Sequence, residues 1–123
     1  MPTRKSILVV DDDPSMRLGM ERLLGLYGFN TRSFASADAL LRHGDFSEAF
    51  CIILDINLNG ESGIALGRRL MDEGLELPVI YITGNDSEAN RAAAIASGCI
   101  AYLTKPFAAS SLIELIERVR AAA

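Results

Sequence analysis

The stretch SILVVDDDPSM, residues 6–16, decides how this chain is read. Ile7 to Val10 form an apolar run too short for a helix and unbroken by polar residues, the pattern of a strand covered on both faces. Three aspartates end it. Asp13 stands where a helix N-cap belongs and Pro14 at the first helical position, so a helix follows almost at once. Met16, Met20, Leu23, Leu24 and Tyr27 recur at helical spacing and are expected to line the core. A buried strand running straight into an amphipathic helix is the start of a βα repeat, and it predicts a parallel sheet.

The same alternation continues to the end of the chain. Further strands are expected at Asn30–Phe34, Cys51–Leu54, Val79–Ile82 and Ala101–Leu103, with CIIL again continuously apolar. Helices are expected over 14–27, 37–43, 62–73, 87–97 and 109–121. Ser36 and Ser87 suit N-caps, and Gly28, Gly44, Gly74 and Gly98 fall just past helix ends, where a left-handed residue is wanted. The pattern is α/β, a single (βα)₅ domain over residues 1–123 with right-handed crossovers and helices on both faces of one sheet.

Composition narrows the function. At 123 residues the chain has the size of one domain with a real core. Half of it is apolar, which excludes a disordered acidic tail, and the net charge of −4 argues against gripping nucleic acid by bulk charge. No apolar stretch is long enough to span a bilayer or, after the basic start at 1–6, to act as a secretory signal. A cytoplasmic protein is expected. Cys51 and Cys99 lack metal or redox spacing and are expected to stay reduced.

In doubly wound folds ligands gather beyond the carboxyl ends of the strands. Those ends carry Asp11, Asp12 and Asp13, then Asp55 with Asn57, then Thr83-Gly84, then Thr104-Lys105. Crowded carboxylates raise one another's pKa or recruit a cation, and hard oxygen ligands suit Mg²⁺ better than zinc. Three aspartates would repel a phosphate-binding loop's ligand unless metal bridged the two. The chemistry that fits is Mg²⁺-assisted phosphoryl transfer to a carboxylate, with Lys105 and Thr83 holding the phosphoryl oxygens.

The segments LVVDDD (8–13), IILDINLNGESG (52–63), VIYITG (79–84) and GCIAYLTKPF (98–107), in this order, resemble a two-component response-regulator receiver domain over essentially the whole chain. The DDDPSMR start and the ITG after the fourth strand are most similar to the branch that usually carries a C-terminal helix-turn-helix effector. The resemblance implies the flavodoxin-like strand order 2-1-3-4-5. It implies that Asp55 is the phosphoacceptor, taking its phosphoryl group from a histidine kinase or histidine phosphotransfer protein. Asp11, Asp12, Asp55 and Asn57 are implied as the Mg²⁺ site, Asp11 acting largely through water. Asn57, Thr83, Gly84 and Lys105 are implied to hold the phosphoryl group, and Lys105–Pro106 to be a cis peptide. Thr83 and Tyr102 are implied as a switch that alters the face made by the fourth helix, fifth strand and fifth helix, a face also available for pairing two copies. Self-dephosphorylation is implied too. No direct contact with nucleic acid or membrane is implied. The sequence fits a stand-alone receiver and one separated from an effector equally.

Three departures from that pattern stand out. Asn59 replaces a frequent proline, which predicts a freer loop after Asp55. Asn85-Asp86 is unusual beside the site, and Ala108 is a poor N-cap for the last helix. Asp13 reads as a helix cap, His43 as a surface residue and Tyr27 as core lining. A haloacid-dehalogenase-like phosphohydrolase needs an acid where Asn57 stands. The remaining alternative is a receiver-like interaction module that works unphosphorylated. The fourth helix offers only Ile95 as a large aliphatic anchor, whereas the fifth has Leu112, Ile113, Leu115, Ile116 and Val119, so the fourth is expected to shift most easily.

Overall fold

A computed structural model describes residues 6–122. The basic start at 1–5 and Ala123 lie outside the described residues. The elements are β1 (Ser6–Val10), α1 (Pro14–Leu26), β2 (Asn30–Phe34), α2 (Ala37–His43), β3 (Ala49–Asp55), the short β4 (Asn57–Leu58) and β5 (Glu61–Ser62), α3 (Gly63–Asp72), β6 (Val79–Thr83), α4 (Glu88–Ala96), β7 (Ala101–Thr104) and α5 (Ala109–Ala122). The main sheet is parallel throughout, in the order β2-β1-β3-β6-β7. Its fourth and fifth strands in chain order are β6 and β7, so the expected 2-1-3-4-5 order holds.

Period-two alternation sorts each strand's side chains onto two cores. Leu8, Val10, Ile52, Leu54 and Tyr81 pack with Leu40, Leu66, Leu70 and Ala94 under α2, α3 and α4. Ile7, Val9, Ile53, Ile80 and Ile82 pack with Met20, Leu24, Leu112, Ile113 and Ile116 under α1 and α5. This two-sided cover explains why β1 and β3 read as unbroken apolar runs. Two glycines allow the closest approaches. A methyl at Gly63 would run into the Asp55 carbonyl, and one at Gly67 into the Tyr81 hydroxyl, which itself hydrogen-bonds the Ser97 hydroxyl at 3.1 Å.

Helix ends follow the expected chemistry. Asp13, Ser36 and Ser87 cap α1, α2 and α4 with their side chains, and Ser62, unforeseen, does so for α3. Gly28, Gly44, Gly74 and Gly98 take positive φ. In α5 the Ala108 carbonyl accepts from Ser111 and Leu112 N–H groups, but its methyl caps nothing. Both cysteines are free, and burial pushes the Cys51 thiol up to about 12.

Several expectations are corrected. Tyr27 does not line the core: it follows the last turn of α1 and is half exposed, because the helix ends before its ring can turn inward. Ile95 is no anchor either. At 67 % exposure it faces outward while Ala94, fully buried, meets the sheet. His43 is half-buried, its ring 5.2 Å from Phe34 and 6.4 Å from Phe46. The segment after Asp55 is an antiparallel ribbon, β4 with β5. Asn59 (φ 52°) and Gly60 (φ 92°) both take left-handed conformations in its turn, as an Asn-Gly hairpin requires and as proline at 59 could not.

Candidate functional site

The carboxyl ends of β1, β3, β6 and the residue after β7 meet at one rim, around a depression of about 280 Å³. Asp11, Asp12, Asp55, Asn57, Thr83, Gly84 and Lys105 all border it, as does Asn85. Tyr102 does not; it stands outside, on β7. The parallel register produces this convergence, since Asp55 pairs with Ile82 and Thr83 with Thr104.

Each acid is held differently. Asp11 and Asp55 are buried, whereas Asp12 is exposed. Asp11 Oδ1 accepts the Asp13 N–H at 2.9 Å, and its backbone carbonyl accepts Arg17 Nη1 at 2.7 Å. Asp55 Oδ1 accepts the Asn57 N–H at 2.8 Å. Lys105 Nζ donates to Asp55 Oδ2 at 3.0 Å and to Asp11 Oδ2 at 3.4 Å, bridging the buried pair. The Lys105–Pro106 peptide is cis.

Burial raises the Asp11 pKa above its ordinary value; the Asp13 N–H opposes this, and the Asp55 charge adds to it. Burial alone would depress Lys105. The hydrogen bond that Lys105 donates to Asp55 and the charges of Asp11 and Asp55 outweigh it and raise the ammonium pKa. The predicted carboxylate strain is therefore present, and one lysine partly relieves it. Asp11, Asp12 and Asp55 each offer an oxygen within 4.8 Å of the others. An all-oxygen, partly exposed donor set of this kind fits Mg²⁺ and leaves room for water or phosphate.

Thr83 is tied to its own loop. Its hydroxyl donates to the Asn85 carbonyl at 3.2 Å and accepts the Asn85 N–H at 3.0 Å. Arg17 and the β6–α4 loop contacts escape sequence reading, because neither follows from spacing along the chain.

The response regulator receiver domain model matches residues 7–117. This chain belongs to the response-regulator receiver family. It is 35% identical over 118 residues to the C4-dicarboxylate transport transcriptional regulatory protein of Rhizobium meliloti, covering 96% of this chain and 26% of that one. Identity to the response regulator protein TodT of Pseudomonas putida is 31% over 123 residues, covering 99% and 53%. The chain thus spans between about a quarter and a half of the curated relatives it matches. A CheY-like receiver domain protein of Methanospirillum hungatei superposes with a TM-score of 0.88 at 25% identity, covering 96% of this chain and 94% of that one. As a receiver, the chain is part of two-component signalling, in which receivers act with histidine kinases or phosphotransfer proteins, and it carries the acidic pocket at which receivers bind Mg²⁺. Among the described residues no helix is long and apolar enough to cross a membrane.

Proposed function

We propose that Asp55 accepts a phosphoryl group from a phosphohistidine on a kinase or phosphotransfer protein. The observation that carries this reading is the buried Asp55 carboxylate, with the Lys105 ammonium 3.0 Å away and oxygens of Asp11 and Asp12 within 4.8 Å. An Asp55 oxygen attacks phosphorus, the P–N bond to the imidazole breaks, and the imidazole leaves with the bonding electrons. The Asn57 N–H, held on Asp55 Oδ1, fixes the orientation of the carboxylate for that attack. Lys105 shifts from the two acids to the incoming phosphoryl oxygens, and Thr83 and Gly84 close on the group from the β6 side. Asp11, Asp12, Asp55 and the Asn57 carbonyl would hold Mg²⁺, which when bound neutralises charge between carboxylates and phosphoryl oxygens. Water later hydrolyses the acyl phosphate.

Residues 1–123 form one receiver unit acting in the cytoplasm, and the α4-β7-α5 face carries the output, including pairing of two copies. The test is intact-mass analysis after incubation with Mg²⁺ and acetyl phosphate. Wild type should gain one phosphoryl group and Asp55→Asn none, because an amide is not a competent nucleophile. An Asp55→Asn protein labelled at the wild-type rate overturns the assignment.

A further inference from the structure

The loop between β6 and α4 carries a second polar cluster that the phosphoryl chemistry does not use. The Tyr102 hydroxyl donates to Asp86 Oδ1 at 3.1 Å. Arg91, on α4, donates from Nη2 to Asp86 Oδ2 at 2.8 Å, and its guanidinium lies 5.0 Å from the centre of the Tyr102 ring. One carboxylate therefore gathers the β7 tyrosine and the α4 arginine, and the arginine covers the ring that the carboxylate holds. The preceding residue makes the parallel link. The Asn85 carbonyl accepts both the Thr83 hydroxyl, at 3.2 Å, and Asn90 Nδ2 of α4, at 3.1 Å. The dipeptide Asn85-Asp86 thus ties Thr83, α4 and Tyr102 into one arrangement.

We propose that Asp86 and Arg91 are positioning residues that latch Tyr102 outward against α4 and so oppose the phosphorylated state. The inference rests on the proposed role of Asp55, Thr83 and Tyr102. A phosphoryl group that draws the Thr83 hydroxyl off the Asn85 carbonyl removes one of that carbonyl's two partners. The loop then releases Asp86, and Tyr102 loses its acceptor and its cover together. A latch of this kind has to be weak. Both ion-pair partners are about half exposed, at 53% and 43%, and exposed pairs contribute little. α4 is correspondingly loose, with Ala94 its one buried residue. Coupling is reciprocal, so whatever phosphorylation does to the latch, breaking the latch does to the affinity for a phosphoryl mimic.

The chain has three tyrosines and no tryptophan, so ¹⁹F spectra of the 3-fluorotyrosine protein give three signals, assigned by single Tyr→Phe changes. Spectra are recorded for wild type, Asp86→Asn and Arg91→Gln, and each is titrated with beryllofluoride and Mg²⁺. Both variants should move the Tyr102 signal part of the way to its beryllofluoride position before any mimic is added. Both should also lower the beryllofluoride midpoint, by up to about fivefold. The two changes alter charge in opposite senses, so a through-space effect on the anion would shift the midpoints in opposite directions. That result, or variants that match wild type throughout, overturns the latch while leaving the site's role intact. A wild-type Tyr102 signal indifferent to beryllofluoride, in protein that acetyl phosphate still labels on Asp55, likewise overturns the latch; only protein that acetyl phosphate fails to label overturns the proposed function itself.

Discussion

Replacing Gly63 with alanine probes how tightly the Asp55 loop is seated. Gly63 opens α3, and its N–H donates to the Ile56 carbonyl at 2.7 Å. An added methyl would run into the Asp55 carbonyl oxygen and lie 2.8 Å from that carbonyl's carbon. The obstacle is backbone of the residue that bears the proposed phosphoacceptor carboxylate, so relief requires moving either α3 or the carboxylate. Overpacking of this sort costs about 1–3 kcal/mol and sometimes more. Because backbone cannot swing aside as a side chain can, the upper figure of about 3 kcal/mol applies; glycine-to-alanine in a helix returns at most about 1 kcal/mol, which leaves a net loss of about 2 kcal/mol. Gly19 and Gly25 in α1 provide the control, because a methyl at either meets nothing within 4 Å. Gly19→Ala should stabilise by about 0.5–1 kcal/mol. In urea unfolding the two variants should fall on opposite sides of wild type, about 2–3 kcal/mol apart. Labelling by acetyl phosphate should slow at least about tenfold in Gly63→Ala, since an ångström of misplacement can cost more than that, and stay unchanged in Gly19→Ala. A Gly63→Ala protein with wild-type stability and wild-type labelling would refute the claim that this contact fixes Asp55.

Three further outcomes are expected. Because burial, reinforced by the Asp55 charge, raises the Asp11 pKa, ionised Asp11 opposes folding; the penalty is full above its folded pKa and fades as pH falls toward the ordinary value of 3.8. Metal-free Asp11→Asn should therefore melt higher than wild type at neutral pH, with the gap closing toward about pH 4; a gap that widens on acidification contradicts this. Lys105→Ala should bind Mg²⁺ more tightly in calorimetric titration, since the competing cation between Asp55 and Asp11 is gone, yet its beryllofluoride complex should show no change in hydrogen exchange over 86–98. Thr83→Ala should still be labelled on Asp55 while the exchange response of 86–98 shrinks; a response equal to wild type would remove Thr83 from the coupling.

The fold was legible because its signals are local. ILVV and CIIL are apolar on every residue, which only a strand covered on both faces tolerates, and Asp13-Pro14, Ser36 and Ser87 mark helix starts by side chains that cap their own backbone. The convergence of Asp11, Asp55, Thr83 and Lys105 was legible for a related reason. In a parallel sheet each strand delivers its last residue to the same rim, so the sequence positions already encode proximity. The Asn57–Ser62 ribbon was written just as locally, in Asn59-Gly60, but a loop defined by a missing proline hides the hairpin that the residues present would form.

What sequence could not supply was which side of an element a residue takes when its face is weakly specified. α4 is mostly alanine, and a helix with no large apolar stripe carries little information about its rotation. Taking Ile95 as the anchor followed from size alone. The packed helix instead places Ala94 in the core cluster that holds Tyr81 and sends Ile95 outward. The same ambiguity concealed Asp86. Its partners are Arg91 on α4 and Tyr102 on β7, so the contact exists only for one rotation of that helix. A helix held by small residues and by polar ties at its start can change that rotation at small cost, and the ties that fix it end on the loop that begins at Thr83. The feature that made α4 hardest to read in the sequence is thus the one that suits it to the response proposed for it.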